Sequence, residues 1–322
     1  MQINNTTIDE ILEPLFLSNI DSWHGHIPFA FELIKNLKPK RFVELGTHKG
    51  DSYLAFCQAV KYYQTNTECF SVDTWQGDEH AGAYGENIYE TLATYHDERY
   101  HTFSSLLKMK FDEALPSIEN GSIDLLHIDG LHTYEAVKYD FETWLPKLSN
   151  RGVVLFHDTV VKYGNFKVWQ LWDELLEQYP GFGFSHSYGL GVLAVGSEAP
   201  EWIKDVCTLP PEQLEIWKKK FVFYGRAILS HSYNRQIDYI KSLLEQRDGQ
   251  INGLNEQLEK VSKKLVFAQM TVNRREKRVA NLNCQIEQLG KQLHYSQQIV
   301  NEQDNQNVEL TSEFQVSNKG LS

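Results

Sequence analysis

The stretch that most constrains this chain is Arg41 to Ser52, RFVELGTHKGDS, a short apolar run that ends in E-x-G-x-x-x-G and passes directly into a helical pattern. It reads as strand, tight turn, helix. Gly46 lets the backbone bend and approach a bound molecule without a Cβ in the way, and Gly50 lets the next helix start close to the strand. A glycine turn after a strand is by itself often no more than a tight connection. The next strand narrows the choice. This second apolar run, Cys69 to Val72, ends in Asp73, where an acidic side chain can take two hydroxyls of a ribose.

The sign of the charge then matters. A dinucleotide-binding turn reads G-x-G-x-x-G to admit a pyrophosphate, and here Glu44 stands at its first position, where a carboxylate repels a diphosphate. Glu44 and Asp73 favour a cationic nucleoside instead. S-adenosylmethionine, with its ammonium and sulfonium, matches them, which disfavours a nicotinamide-dependent enzyme.

Apolar strands and helical patterns alternate through the first half of the chain. Helices are expected over Ile8 to Phe16, Pro28 to Leu37, Ser52 to Tyr63, Asn87 to Tyr95, Phe111 to Ile118, Tyr134 to Leu148 and Val168 to Tyr179. Strands are expected over Phe70 to Trp75, Tyr100 to Ser104, Ile123 to Asp129 and Gly152 to His157. Strands buried on both faces and separated by helices make a parallel sheet. GFGFSHSYG and LGVLAVG then follow each other with only a turn between, which predicts a terminal antiparallel hairpin at one edge. The expected fold class is α/β, a Rossmann-like, mostly parallel sheet of seven strands.

Ligands of open parallel sheets sit outside the carboxyl ends of the strands. Read there, the sequence offers Glu44, Gly46, Thr47, Gly50 and Ser52 around the first turn, Asp73 and Trp75, Ser104 and Ser105, Asp129 with His132, and His157 with Asp158. Singly, such an Asp or Ser is as often a helix N-cap as a ligand. Their concentration at one rim is not explained by packing. His127 falls inside a buried strand and reads as structural. QGDEHAGAYGE, from Gln76 to Glu86, carries three glycines with Asp78, His80 and Tyr84, and suggests a lid or acceptor-binding loop.

The runs SVDTWQGDEHAGAYGE and IDLLHIDGLHTYEAVKYDFETWLPKLSNRGVVLFHDT resemble class I S-adenosylmethionine-dependent methyltransferases of the type found with bacterial surface-polysaccharide and glycosylation enzymes. The resemblance covers about Phe42 to Gly196. It implies that Glu44, Gly46 and Gly50 line the methionine end of the cofactor, that Asp73 holds the ribose, and that adenine lies near Ser104 and Ser105. The D-G-x-H at Asp129 to His132 and the pair His157 and Asp158 further resemble metal-dependent sugar and macrolide O-methyltransferases. That implies a divalent ion, Mg or Mn, on Asp129, His157 and Asp158, and His132 or His157 as the base, His132 being favoured. The pair is His-Asp here where those enzymes have Glu-Asp, and imidazole suits a softer ion. An unperturbed imidazole, near pH 6.5, is matched to taking a proton from a sugar hydroxyl.

The second half has another texture. All nine prolines lie at or before Pro211 and all seven tryptophans at or before Trp217. From Ile237 a seven-residue ladder runs unbroken through Leu244, Ile251, Leu258, Leu265, Val272, Val279, Ile286 and Leu293 to Val300. Three residues on stand Ile240, Arg247, Leu254, Val261, Ala268, Arg275, Leu282, Leu289 and Ser296. That period predicts a coiled coil, roughly 95 Å at 1.5 Å per residue. Arg247 and Arg275 in its seam would set register or oligomer number.

Composition limits the rest. A net charge of −12 without a long basic run disfavours a nucleic-acid groove. Cys57, Cys69, Cys207 and Cys284 are scattered, with no C-x-x-C pair, and are expected to be reduced and mostly buried. No run of 18 apolar residues predicts a membrane span, so a cytoplasmic protein is expected. The expected domains are N-terminal helices over 1–40, the cofactor-binding domain over 41–198, a helical connector over 199–235, the coiled coil over 236–300 and a polar, frayed tail over 301–322. The leading functional expectation is O-methylation of a saccharide or glycan-linked acceptor by a homo-oligomer working beside other glycan-synthesis enzymes. The rival is a catalytically silent scaffold that keeps the fold to carry the coiled coil.

Overall fold

The computed structural model describes residues 13–78, 82, 83, 85 and 87–319, with only the backbone of Asp78, Ala83 and residues 313–319. Its chain divides into two compact units, Met1–Tyr239 and Ile240–Ser322.

The first unit holds a sheet of seven strands in the order β5-β2-β1-β6-β7-β9-β8. They are β1 (Arg41–Leu45), β2 (Glu68–Asp73), β5 (Ser104–Lys108), β6 (Ile123–Ile128), β7 (Leu148–His157), β8 (Gly181–Phe184) and β9 (Leu190–Ala194). β3 (Gly77–Asp78) and β4 (Gly82–Ala83) form a separate small antiparallel pair. The strands from β5 to β7 pair in parallel, whereas β9 runs antiparallel to both β7 and β8. The terminal hairpin is therefore present at the β7 edge, as the sequence predicts. Helix α1 (Ile27–Leu37) precedes β1, and α2 (Asp51–Tyr63), α3 (Asn87–Tyr100), α4 (Phe111–Ala114), α5 (Tyr134–Trp144), α6 (Val168–Leu176) and α7 (Glu201–Cys207) lie between or after the strands.

Alternation along the strands sorts two cores onto the two faces of the sheet. Phe42, Leu125, Val153 and Leu155 join Phe29, Phe56, Trp217 and Phe221 in one. Val43, Leu126, Val154 and Phe156 join Trp144, Leu171 and Trp172 in the other. The order of strands reverses at β1, whose neighbours are β2 and β6. Such a switch point opens a crevice at the carboxyl ends.

Three expected elements differ. The helix over Ile8 to Phe16 lies mostly outside the described residues, and 13–16 are not helical. The strand expected over Tyr100 to Ser104 begins at Ser104 instead, because Leu92, His96 and Tyr100 are all buried at four-residue spacing and carry α3 through Tyr100. The expected connector opens with the separate helix α7, and from Pro211 its remainder, the ladder and the expected frayed tail form one continuous helix, α8 (Pro211–Lys319). No proline or glycine interrupts residues 301–319, so nothing local stops it there.

The start of α8 belongs to the first unit. Trp217, Phe221 and Ile228 are buried there, and Trp217 and Phe221 meet Phe29 at ring-centroid distances of 6.2 and 5.4 Å. The described residues contain no helix long and apolar enough to cross a membrane. Cys57 and Cys69 are buried as expected, but Cys207 is half-buried and Cys284 exposed.

Replacing Trp217 by Ala removes an aromatic anchor from a filled core and is expected to cost about 3–5 kcal/mol in urea denaturation. Leu258→Ala, at a position 69% exposed in the single chain, should leave the stability of the first unit unchanged.

Candidate active site

The turn after β1 is built by three constraints. Gly46 has φ +85°, and a Cβ there would lie 2.1 Å from the carbonyl oxygen of Asp129, at the end of β6. Any side chain would push the two strand ends apart. Thr47 and His48 donate their backbone N–H groups to Asp73 Oδ2 at 2.8 and 2.9 Å, while Trp75 N donates to Asp73 Oδ1 at 2.7 Å. Gly50, at φ +90°, then caps α2 with its N–H on the Thr47 carbonyl at 2.8 Å. A Cβ on Gly50 would strike Leu92 at 2.5 Å.

A cavity of about 770 Å³ opens beside this turn. Gly46, Thr47, His48, Asp73, Lys110, Phe111, Asp112, Asp129, Gly130, Tyr139 and Asp140 are among the residues lining it. A smaller one, about 130 Å³, adjoins it across Gly46, Thr47 and Asp129 and is also lined by Ser52, His132, His157 and Asp158. Asp73, Asp112, Asp129, Glu135 and Asp140 face the larger cavity against a single lysine, Lys110. That excess of acid suits a cationic ligand.

Several expected contacts lie elsewhere. Glu44 is fully buried and lines neither cavity; its Oε2 accepts from His127 Nδ1 at 2.8 Å. Trp23 Nε1, which can only donate, reaches His127 Nε2 at 3.4 Å, so His127 carries its proton on Nδ1 and is structural, as expected. Burial raises the Glu44 carboxyl above its ordinary value, and the His127 bond opposes that rise. Ser104 and Ser105 sit at the entrance of β5, the opposite rim of the sheet. Ser104 Oγ bonds Tyr53 Oη and His96 Nε2, each at 2.7 Å. The carboxyl end of β5 brings Lys110, Phe111 and Asp112 to the cavity instead, because the strand starts where it was expected to end. Trp75 is buried, donates its indole N–H to the His48 carbonyl at 2.9 Å and lines neither cavity. Gly50 shapes the helix start without lining one.

Asp73 faces the cavity, but three backbone donors already occupy its two oxygens. A carboxylate has about four acceptor positions, which leaves one for a ribose hydroxyl.

Beyond β6 and β7, Asp129, His132 and Asp158 each offer one ligand atom, all within 4.8 Å of one another. Asp158 holds a left-handed φ of 61°, a strained backbone of the kind that collects at functional sites. His132 Nε2 lies 2.8 Å from Asp158 Oδ2 and 3.5 Å from Asp129 Oδ1. Its ring stacks on Phe166 at 4.8 Å and 10°. His157 is buried behind the carboxylates, with Nδ1 3.3 Å from Asp129 and 3.5 Å from Asp158, and Nε2 donating to the Ser187 carbonyl at 3.1 Å. The compact three-atom group thus contains His132, where the expected ligand set had His157.

Protonation follows from this packing. Burial lowers the His132 imidazole, but Asp129 and Asp158 outweigh it and lift its pKa to about 9. His157 is likewise raised well above 6.5, its burial overcome by the same two acids. Burial would raise Asp129 and Asp158, yet the imidazoles hold both below the usual carboxylate range. Both histidines therefore hold their protons at neutral pH, in contrast to the expectation from an unperturbed imidazole.

Sequence reading missed Asp140 and Tyr139. A signal for Asp140 exists: in α5 it shares a buried face with Val137, Phe141 and Trp144, at helical spacing. Of the loop from Gln76 to Glu86, His80 and Tyr84 lie outside the described residues, and Gly77 lines the larger cavity.

Residues 43–159 match a family model described as a methyltransferase domain. The chain is 42% identical over 258 residues to protein y4gI of Sinorhizobium fredii, an alignment spanning 78% of this chain and 28% of that protein. Among solved structures, it is similar to the O-methyltransferase TomG of Streptomyces achromogenes, in complex with S-adenosylmethionine, at TM-score 0.42 and 13% identity over 58% of this chain and 92% of that one. It is also similar to the methyltransferase PaMTH1 of Podospora anserina, bound to S-adenosylhomocysteine, at TM-score 0.39 and 16% identity over 52% and 76% of the two chains.

Because His132 binds its proton more tightly folded than unfolded, its contribution is complete below about pH 6.5 and disappears as pH rises through about 9. Urea denaturation should show stability falling across that window, by roughly 3 kcal/mol from His132. His132→Gln should flatten the slope; an unchanged slope would remove the paired imidazolium.

Proposed function

We infer that this chain, which carries a class I methyltransferase domain, transfers the methyl group of S-adenosylmethionine to an acceptor oxygen. The observation that carries the inference is the acid-lined cavity at the β1 and β6 switch point, continuous in its lining with the Asp129, His132 and Asp158 group. The cavity lies within the range of about 300–1,000 Å³ usual for small-molecule sites. A sulfonium is already a good leaving group, so the protein's task is to align the acceptor and dispose of its proton.

Gly46 and Thr47 line both cavities, which supports placing the methyl donor at their junction. Asp73 would take a ribose hydroxyl on its remaining lone pair while holding the turn. On the acceptor side, the two oxygens and one nitrogen of Asp129, Asp158 and His132 fit a divalent cation such as Mg or Mn. Such an ion would lower the pKa of an acceptor hydroxyl, so that its proton could pass to solvent water as the methyl group leaves the sulfonium for the oxygen. To serve it, His132 must release the proton that the two acids otherwise hold there. His157, fixed by Ser187, would keep the carboxylates aimed.

The acceptor we propose is a hydroxyl of a saccharide or glycan-linked molecule, on the resemblance of Ser71 to Glu86 and Ile123 to Thr159 to glycan-associated methyltransferases. We also propose self-association through α8. All ten residues of the ladder from Ile237 to Val300 are between 46% and 69% exposed in the single chain, and a strict seven-residue period is the pattern that a second copy of the same helix covers.

Calorimetric titration should detect S-adenosylmethionine binding. Transfer of a labelled methyl group to candidate sugars should need Mg or Mn and be lost, by at least about 100-fold, in Asp158→Asn. Binding without transfer to any acceptor would favour the silent scaffold, and absence of binding would remove the enzyme reading. Light scattering tests the assembly: a chain ending after Tyr239 should retain cofactor binding and have a smaller multiplicity than the full chain. Equal multiplicity would refute the coiled coil.

A further inference from the structure

One buried acid in the larger cavity has no hydrogen-bond partner among the described residues. Asp140, on α5, is 8% exposed and lines the cavity, yet its carboxyl has no hydrogen-bond donor among the described residues. Buried polar side chains are otherwise satisfied in the great majority of cases, since an unmade hydrogen bond in a dry site costs about 1–3 kcal/mol. The neighbouring acid is different: Asp112 is exposed and accepts from Tyr139 Oη at 3.2 Å. Burial, reinforced by the Asp112 charge, lifts the Asp140 carboxyl to about 7.

An aromatic ring and a bare stretch of backbone lie beside Asp140. A Cβ built on Gly130 would lie 2.7 Å from the Phe111 ring and 3.3 Å from Asp140 Oδ2, so the ring and the carboxyl converge on one bare Cα. Phe111 and Gly130 both line the cavity. An aromatic surface, a glycine without a side chain and an unpaired acceptor suit a planar heterocycle that carries an N–H donor on its edge.

We propose that Asp140 reads the base of the cofactor, accepting a hydrogen bond from the exocyclic amine of adenine. This rests on the S-adenosylmethionine assignment above and assigns base specificity to a helix residue rather than to the strand-end acids. Hypoxanthine places a carbonyl oxygen where adenine has its amine. Above about pH 8, where the Asp140 carboxyl is ionised and where the titration is run, two acceptors would then face each other at a buried position, the arrangement that gives the steepest discrimination between analogues.

The test is calorimetric titration of the full chain with S-adenosylhomocysteine and with its hypoxanthine counterpart, S-inosylhomocysteine. The unaltered protein is expected to prefer the adenine compound by at least about 100-fold. In Asp140→Asn the side-chain amide can turn either its oxygen or its N–H toward the base, so the preference should fall below about tenfold. The melting temperature should not drop, because a buried neutral amide replaces a buried acid. Asp140→Ser gives a second reading should the amide variant fold poorly. A preference retained in both variants would overturn the role of Asp140 and leave the cofactor assignment standing. Binding of neither compound by the unaltered chain would overturn both.

Discussion

The site depends on the contact between Gly46 and the Asp129 carbonyl. With 2.1 Å between that oxygen and the place a Cβ would occupy, only glycine lets the end of β1 lie against the end of β6. Asp73 fixes the other side by taking the amides of Thr47 and His48. One turn is thereby tied to both neighbouring strands, β2 and β6, and the cavity, the metal-type cluster and the start of α2 all take their positions from it. An acid that sequence reading assigns to a ligand is thus also part of the scaffold, through bonds to backbone that no side-chain pattern reveals.

Much of the fold was legible because strands buried on both faces leave apolar runs, continuous in Val153 to Phe156 and broken only by Asp124 and His127 in Ile123 to Ile128, and because the glycine turn has few structural uses. The terminal hairpin was legible from two glycine-rich strands separated by a short turn. The failures have local causes. Tyr100 to Ser104 looks like a strand, but α3 continues through Tyr100 to bury a fourth-residue stripe, and the shift of β5 carries Ser104 and Ser105 to the wrong rim. Glu44 was expected at the ligand because its charge stood at a telling position. Its side chain is instead buried in the core, where His127 bonds its Oε2 and leaves Oε1 without a partner among the described residues. Pairings between residues 83 apart leave no mark on a single sequence.

Charge is handled in two ways within a few residues of each other. At Asp129 and Asp158, the acids are matched by His132 and His157, so two carboxylates and two imidazoliums make a nearly neutral group. At Asp140 no donor among the described residues matches the acid, and burial with the Asp112 charge moves its carboxyl toward neutrality. In the first arrangement a divalent cation would displace the His132 proton and leave the group with one net positive charge in place of none. The second discourages ionisation until a donor arrives, and so makes the slot selective for the group that enters it.

The loop between β8 and β9 carries a further consequence. Its Ser187 carbonyl accepts from both His157 and His26, each at 3.1 Å, and Ser187 and Tyr188 hold left-handed φ values of 47° and 64°. Hairpin loops at a sheet edge are normally where chains vary in length most freely. Here an inserted or deleted residue would slide the carbonyl off His157 and disturb the alignment of Asp129 and Asp158. A surface connection that lines neither cavity at residues 186–189 is thus tied to both acids, to Asp158 directly through its backbone N–H on the Gly189 carbonyl at 3.1 Å and to Asp129 through His157.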